Sequence, residues 1–154
     1  MSPESAQHIS PALNPGDKLN YFDVQQPLAA GGMSLVWKGY DKLLDRHVAI
    51  KQIASSAMAD ESLREAFRRE AELQKKVSAS HKNLVEVIDF IEEPRGLFIV
   101  MEYVDGSSLD RTLTKLEGPV PPREALGMIQ QVALGLAAIH NAGVIHRDLK
   151  PSNI

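Results

Sequence analysis

The sequence predicts an α+β fold, in which a five-stranded antiparallel sheet carries one helix and is followed by a helical part. Apolar residues repeat at helical spacing over 62–77, between the third and fourth of five short apolar runs. After residue 104 the strand pattern ends, and helical spacing returns over about 107–116 and 122–141. The five short runs are separated by turn signals, which is typical of strands, and they lie at 21–29, 34–40, 47–53, 84–91 and 97–103.

Turn residues between the predicted strands indicate how the strands are connected. A Gly31-Gly32 pair separates the first two strands, and residues 41–46 separate the second from the third. Connections this short favour an antiparallel meander. The segment 94–96, Pro-Arg-Gly, is the predicted turn between the last two strands. Proline and glycine among small polar residues make 1–20 a predicted flexible leader.

Composition excludes several classes of protein. Apolar residues at 44% and charged residues at 24% fit a soluble globular domain. The net charge of −3 gives no reason to expect nucleic acid as a partner. No apolar run approaches the roughly 20 residues of a membrane span. The sequence has no cysteine, which excludes disulfides and thiolate chemistry and is compatible with the cytoplasmic location that we expect.

One acidic residue interrupts the apolar stripe of the 62–77 helix. Glu70 lies on that stripe between Phe67 and Leu73. A carboxylate that faces a core requires a cationic partner, because burying an unpaired charge is costly. We therefore expect Glu70 to face inward and to be paired. The alternative is a surface pair with Arg68 or Arg69.

The third predicted strand offers a cation for that carboxylate. Alternation along a strand places Ala49 and Lys51 on one face and Val48 and Ile50 on the other. When a small side chain and a cation share one face, the side chain can cover a flat base and the cation can reach the phosphates. A Lys51–Glu70 ion pair would satisfy both charges, whereas the alternative is a lysine that faces solvent beside a buried strand.

Residues 146–153 carry the most specific signal in the sequence. They read His-Arg-Asp-Leu-Lys-Pro-Ser-Asn, and this string resembles the protein kinase catalytic loop H-R-D-x-K-P-x-N. The resemblance implies that Asp148 orients the attacking hydroxyl and accepts its proton, that Lys150 balances the γ-phosphate, and that Asn153 binds Mg²⁺. A lysine two places after the aspartate is the serine/threonine form of this loop. The alternative is a solvated turn with a Lys-Pro bend.

Three further segments are similar to the same family and follow its order along the chain. Residues 48–51, Val-Ala-Ile-Lys, match V-A-I-K, and residues 99–106 resemble the hinge between the kinase lobes. Residues 28–36 resemble G-x-G-x-x-G-x-V, although Ala29 and Ser34 replace its first and third glycines. An ordinary hairpin and a plain edge strand are the alternatives for the loop and the hinge. The resemblance implies a nucleotide site built from Leu28, Ala29, Gly31, Gly32, Val36, Ala49, Lys51, Glu70, the gatekeeper Met101, and the backbone of Glu102 and Val104.

The resemblance runs from about residue 21 to residue 154 and is strongest to bacterial serine/threonine kinases of eukaryotic type. It implies a leader at 1–20, a kinase N-lobe at 21–104 and a partial, incomplete helical C-lobe at 105–154. ATP and Mg²⁺ are the implied cofactors, and a protein carrying a serine or threonine hydroxyl is the implied substrate. No membrane segment is expected in the chain.

The family pattern continues past Asn153 with a D-F-G aspartate and an activation segment, so we expect a truncated portion of a kinase. We expect its phosphotransfer to be very weak or absent, and the buried face of the 122–141 helix to lose partners. The alternative function is a non-catalytic half-kinase that binds nucleotide or a partner. Small-molecule kinases usually have His-Gly-Asp in place of His-Arg-Asp, and no G-x-x-x-x-G-K-[ST] string supports a Walker-type NTPase.

Overall fold

A computed structural model of the chain describes residues 13–31, 34–53 and 61–154, and of residues 30, 31, 34, 53 and 63 it describes the backbone alone. The chain divides into two compact units. The first contains the residues up to Lys75 together with Glu86–Tyr103, and the second contains Lys76–Val85 and Val104–Ile154. The division after Tyr103 lies beside the predicted boundary at 104, but Lys76–Val85, which we assigned to the first lobe, groups with the second.

The first unit is built on a six-stranded antiparallel sheet with the strand order β1-β2-β3-β4-β6-β5. The predicted meander of β2, β3 and β4 is confirmed by their pairing as neighbours. The predicted number of five strands is wrong by one, because a short strand precedes the first predicted one. The strands are β1 (Lys18–Leu19), β2 (Phe22–Gly31), β3 (Ser34–Asp41), β4 (Arg46–Ile53), β5 (Val87–Glu93) and β6 (Gly96–Glu102).

The extra strand arises from a segment that we predicted to be flexible. Leu13 and Leu19 are fully buried, and Gly16 adopts a φ of 93°, which favours glycine. The Gly16 amide donates to the carbonyl of Val24 at 2.8 Å, which fastens the turn to β2. The prediction of a flexible leader is therefore wrong over 13–20, because burial of two leucines offsets the cost of ordering this segment. Residues 1–12 lie outside the described residues.

The two faces of the sheet bury different residues. Val48 and Ile50 are fully buried, which confirms that they share a face opposite to Lys51. Since facing residues of an antiparallel pair lie on the same face, the register extends this buried face across the sheet. The main core on this face consists of Leu13, Leu19, Phe22, Val24, Trp37, Val48, Ile50, Ile91, Phe98 and Val100.

Helix α1 (Glu61–Ser78) covers part of the opposite face. Its Phe67 packs against Leu97, which alternates with the core residue Phe98 along β6. Ala71 is 1% exposed, whereas Glu70 is exposed to solvent. The predicted inward orientation of Glu70 is therefore wrong in this structure. Phe67 is on the packed face as predicted, but the buried position one turn later is that of Ala71, which projects about 100° away from Glu70.

The second unit contains the helices α2 (Leu109–Lys115) and α3 (Pro122–Asn141) and a short 3₁₀ turn at Pro151–Asn153. The predicted bounds of α3 are confirmed, and Gly143 follows it with a φ of 78°. Gly135 is the buried residue of α3, whereas Ile129 on the same helix is 64% exposed. Within the described part of the chain, no helix has both the length and the apolar character needed to cross a membrane.

Two glycines of α3 make a matched test of its packing. A Cβ at Gly135 would lie 3.0 Å from the carbonyl oxygen of Asn83, whereas one at Gly127 would meet no atom within 4 Å. We expect Gly127→Ala to raise the free energy of unfolding by about 0.8–1 kcal/mol, the helix preference of alanine over glycine. Gly135→Ala should not show this increase in the free energy of unfolding, because the backbone at Asn83 would have to move to make room for the added Cβ. Denaturant-induced unfolding of both variants measures the difference, and an equal gain would contradict the close packing at Gly135.

Candidate active site

The sheet brings the predicted nucleotide residues from separate segments onto one face. In the strand register, Ala29 faces Val36, Val36 faces Lys51, and Lys51 faces Ile99. These four residues form one row across β2, β3, β4 and β6, on the face opposite the main core. We call this the Lys51 face. Ala49 and Met101 face each other in a neighbouring row of the same face.

The departures from the glycine-rich pattern are compatible with the backbone of β2. Ala29 pairs with Val36 inside a strand, where extended backbone suits any residue, so glycine is not required there. Leu28 lies at a register shift between Pro27 and Ala29, and its side chain is 37% exposed. Gly31 pairs with the residue at 34, whereas Gly32 and position 33 lie outside the described residues.

The predicted ion pair between Lys51 and Glu70 is not formed in this structure. Glu70 is exposed, and its Oε1 accepts a hydrogen bond from Gln74 Nε2 at 3.3 Å. Lys51 is partly buried and has no ion pair among the described residues. The alternative surface pair is absent as well, because Arg68 and Arg69 bind other carboxylates. Lys51 therefore lies on its face as a cation that a ligand could bind.

The predicted hinge residues differ in how their backbone is engaged. The amide of Glu102 donates to the carbonyl of Glu86 at 2.9 Å, so this donor is already used. Of the two backbone groups of Glu102, only the carbonyl could therefore contact the edge of a base. The next residue, Tyr103, has the Lys38 ammonium 4.5 Å from its ring centre. Val104 begins the longer of the two segments of the second unit and is 60% exposed.

The catalytic-loop residues Asp148, Lys150 and Asn153 lie together, as the pattern predicted. Lys150 Nζ is 2.9 Å from Asp148 Oδ2, and Asn153 Nδ2 donates to the same oxygen at 3.0 Å and to the Asp148 carbonyl at 2.8 Å. The loop bends sharply because Arg147 adopts a φ of 59°, and the 3₁₀ turn then returns Asn153 toward Asp148. The carboxylate is 65% exposed and can be reached by a substrate.

These contacts set the charge of the carboxylate. Hydrogen bonds from Lys150 and, to a smaller extent, from Asn153 lower the pKa of Asp148 below its ordinary value. The group is therefore ionised at neutral pH, which is the form that accepts a hydrogen bond from an alcohol and can take its proton. A lysine ammonium beside it can balance charge on a transferred phosphoryl group.

The loop also offers the hard oxygen ligands that Mg²⁺ prefers. Asn153 uses its Nδ2 on Asp148, which leaves the amide oxygen Oδ1 for a cation. Within the described residues, no group of three or more histidine, cysteine or carboxylate side chains could hold a metal ion by itself. This donor set fits Mg²⁺ that is shared with phosphate oxygens, since Mg²⁺ is commonly held by one or two protein oxygens plus a phosphate.

Removing the ammonium should change the titration of the carboxylate. We expect Lys150→Met to raise the pKa of Asp148, because the hydrogen bond that lowers it most is lost. The raised pKa means that the carboxylate takes up a proton at a higher pH than in the unchanged chain. A titration of the carboxyl carbon by NMR measures the shift. Lys115→Met, which changes a lysine at the end of α2, is the control and should leave it unchanged.

One polar cluster, formed between α1 and β5, was not predicted from the sequence. Arg64 and Arg68, one helical turn apart, both bind the carboxylate of Glu92 on β5. Their hydrogen bonds lower the pKa of Glu92, with that from Arg68 contributing most. The spacing of the two arginines could have indicated a shared anionic partner. Nothing in the local sequence identified that partner, because Glu92 follows Arg68 by 24 residues.

Comparisons with known proteins identify the family of the chain. Residues 22–154 match the protein kinase domain family. The chain is 46% identical over 133 residues to the serine/threonine-protein kinase pkn2 of Myxococcus xanthus, and 38% identical over 133 residues to the serine/threonine-protein kinase PrkC of Bacillus subtilis. Each match covers 86% of this chain, but the chain spans only 16% and 20% of those proteins.

A solved structure of the Mycobacterium tuberculosis PknI kinase domain resembles the fold with a TM-score of 0.79. It is 28% identical, and the match covers 92% of this chain and 56% of that one. The fold is therefore protein-kinase-like, with an antiparallel sheet of six strands, and the sequence relatives are bacterial serine/threonine kinases. The chain belongs to the protein kinase domain family.

Proposed function

We propose that the chain provides the nucleotide-binding sheet and the catalytic loop of an ATP-dependent protein serine/threonine kinase. The observation that carries the proposal is the arrangement of Asp148, Lys150 and Asn153, which joins an ionised carboxylate, an ammonium and an amide within 3.0 Å contacts. Phosphoryl transfer requires positioning and charge neutralisation more than covalent chemistry, and these three groups supply both.

In this proposal the Lys51 face binds Mg-ATP. The row that contains Ala29, Val36 and Lys51 and the row that contains Ala49 and Met101 provide apolar surface for the base, and the Lys51 ammonium provides a cation for the phosphates. Leu28, Gly31, Gly32 and the backbone of Glu102 and Val104 complete the proposed contacts. Glu70 would join by pairing with Lys51 after a rotation of α1.

The proposed reaction places each group of the catalytic loop in one role. Asp148 accepts the proton of a serine or threonine hydroxyl. The hydroxyl oxygen forms a bond to the γ-phosphorus, and the bond from that phosphorus to the β,γ-bridging oxygen breaks, so that ADP leaves. Lys150 balances the charge of the transferred group. Mg²⁺, when bound at Asn153 Oδ1, would neutralise charge on the phosphates. A cytoplasmic location fits ATP as the co-substrate.

Binding of Mg-ATP tests this proposal directly. We expect isothermal titration calorimetry of the chain to show one Mg-ATP site and the Lys51→Met variant to bind at least about tenfold more weakly, since a lost charge-assisted contact costs about 1.5–3 kcal/mol. Lys42→Met, which changes an exposed lysine paired with Asp23, is the control and should bind as the unchanged chain does. Equal affinity in all three chains would contradict the proposed site.

A second candidate function is a non-catalytic module that binds nucleotide or a partner. The exposed position of Glu70, and the absence of an ion pair to Lys51 among the described residues, favour it, because the Lys–Glu ion pair is required for kinase activity. A chain that binds Mg-ATP through Lys51, but transfers no phosphate to a serine-containing protein above an Asp148→Asn control, would support this second candidate.

A further inference from the structure

Three aromatic side chains form a row at one end of the Lys51 face. Tyr40 faces His47 in the β3–β4 register, and continuing the β4–β6 register by one pair sets His47 opposite Tyr103. The ring centroids of Tyr40 and His47 are 5.3 Å apart, and those of His47 and Tyr103 are 6.0 Å apart, both in an edge-on arrangement. Aromatic pairs prefer this geometry and separation. We call these three residues the ring row.

Lys38 connects the ring row to the neighbouring row, which contains Ala49 and Met101. In the register Lys38 faces Ala49, yet its ammonium lies 4.5 Å from the centre of the Tyr103 ring. Tyr103 directly follows β6, and β4 separates β3 from β6 in the sheet. Neighbouring strands are about 4.8 Å apart, so the Lys38 side chain crosses β4 to reach the ring. No carboxylate of the described residues forms an ion pair with this ammonium, which leaves the ring as its partner.

The Tyr103 ring is therefore held from two strands at once. A cation from β3 lies over the ring, and an ammonium in this place is attracted by the π electrons. The His47 ring contacts it from β4. At the other end of the ring row, the Tyr40 hydroxyl donates to the carboxylate of Asp45, which fixes the first ring of the series. Because these contacts come from the sheet itself, they restrain residue 103 relative to the sheet.

The peptide between Glu102 and Tyr103 is the group that these contacts orient. It carries the Glu102 carbonyl, which is the proposed acceptor for the edge of a base. A peptide unit is planar, so the residues at its two ends decide its direction. At one end the Glu102 amide donates to the Glu86 carbonyl at 2.9 Å, and at the other end Lys38 and His47 hold the Tyr103 ring. With both ends restrained, the carbonyl keeps one direction.

We propose that Lys38 is a positioning residue: by holding the Tyr103 ring, it fixes the Glu102 carbonyl in the direction that accepts a hydrogen bond from the amino group of adenine. The role toward adenine rests on the proposed function, whereas the restraint of the peptide does not. An acceptor that is already oriented binds more tightly, because less conformational freedom is lost on binding. Lys38 contacts neither the base nor the phosphates in this proposal and acts through Tyr103 alone.

Selective isotope labelling can observe this one peptide by NMR without any ligand. The sequence contains a single Glu-Tyr pair, at 102–103, so glutamate labelled with ¹³C at its carbonyl and tyrosine labelled with ¹⁵N give one correlated amide signal. We expect the ¹⁵N order parameter of this amide to be about 0.85 in the unchanged chain, as in rigid backbone, and to fall below about 0.6 in Lys38→Met. Removal of a charge without loss of restraint would change the chemical shift alone.

Two further variants control this measurement. Lys38→Arg should keep the order parameter, because a guanidinium also binds an aromatic face. Lys42→Met removes a nearby lysine that pairs with Asp23, and it should leave the order parameter unchanged. Circular dichroism identifies a variant that has not folded, and Lys38→Gln then replaces Lys38→Met with the same expectations. An unchanged order parameter in the folded variant, or an equal loss in Lys42→Met, would overturn the proposal.

Binding of nucleotide analogues separates this inference from the proposed function. Purine riboside triphosphate lacks the amino group of ATP, and with Mg²⁺ the unchanged chain should bind it about fivefold more weakly, the ratio that a net hydrogen bond of about 1 kcal/mol gives. In Lys38→Met this ratio should disappear, and Mg-tripolyphosphate, which has no base, should bind both chains equally.

The outcomes distinguish the two proposals. A lower order parameter in Lys38→Met, with no binding of Mg-ATP to any chain, would count against the proposed function and support the restraint. If Mg-ATP binds but Lys38→Met keeps the preference for ATP over purine riboside triphosphate, or weakens Mg-tripolyphosphate as much as Mg-ATP, then the positioning role of Lys38 is overturned and the proposed site stands.

Discussion

Replacing Ala49 by leucine is expected to lower the affinity of the chain for Mg-ATP by roughly 10- to 100-fold, because overfilling a packed site costs about 1–3 kcal/mol. Ala49 lies between Lys38 and Met101 in the strand register, on the Lys51 face, and its small side chain leaves room for a flat base. Ala49 is itself only 9% exposed, but it does not belong to the main core, which lies on the other face of the sheet, so the fold should persist. Titration calorimetry measures the affinity, and thermal unfolding verifies the fold.

The control for this substitution makes the same chemical change elsewhere. Ala137→Leu adds the same atoms to an exposed position of α3 in the second unit, and Mg-ATP should bind to it as to the unchanged chain. If Ala49→Leu binds Mg-ATP as well as Ala137→Leu does, then the base does not lie on the Lys51 face, and the proposed site is wrong.

The second large effect concerns the stability of the first unit. We expect Phe98→Ala to lower the free energy of unfolding by about 3–5 kcal/mol, the usual cost of removing a buried phenyl ring. Phe98 is fully buried in the main core, where it faces Ile91 on β5. Since small domains are stable by only about 5–15 kcal/mol, this loss should be evident as a large shift in urea-induced unfolding.

An exposed leucine provides the comparison for that measurement. Leu44 lies between β3 and β4 and is 62% exposed, so Leu44→Ala should change the free energy of unfolding by at most about 0.5 kcal/mol. A loss below about 1 kcal/mol in Phe98→Ala would be far under the usual range for a core aromatic residue and would contradict the assigned core.

Much of the fold could be predicted from local patterns. Alternation of apolar residues identified β4, whose Val48 and Ile50 are buried, and Pro122 with Gly143 marked both ends of α3. The contact within the predicted catalytic loop follows from neighbours in sequence, since Lys150 comes two residues after Asp148 and its ammonium lies beside that carboxylate. In these cases the interactions that decide the structure join residues that are only a few positions apart in the sequence.

The missed features depend on contacts between distant residues. The short strand β1 forms because Leu13 and Leu19 join the core, which their polar surroundings in the sequence did not indicate. Apolar periodicity alone placed Glu70 inward, whereas in the structure Ala71 is buried and Arg68 on the same helix binds the distant Glu92.

Amide hydrogen exchange with and without saturating Mg-ATP tests the central claim most directly, namely that one face of the sheet binds the nucleotide. Exchange should slow in β2 near Ala29, in β4 near Lys51 and at Glu102–Val104, with no change at the exposed residues of α3 such as Leu126. Nucleotide binding that leaves exchange in β2 and β4 unchanged, or that protects α3 instead, would contradict the account.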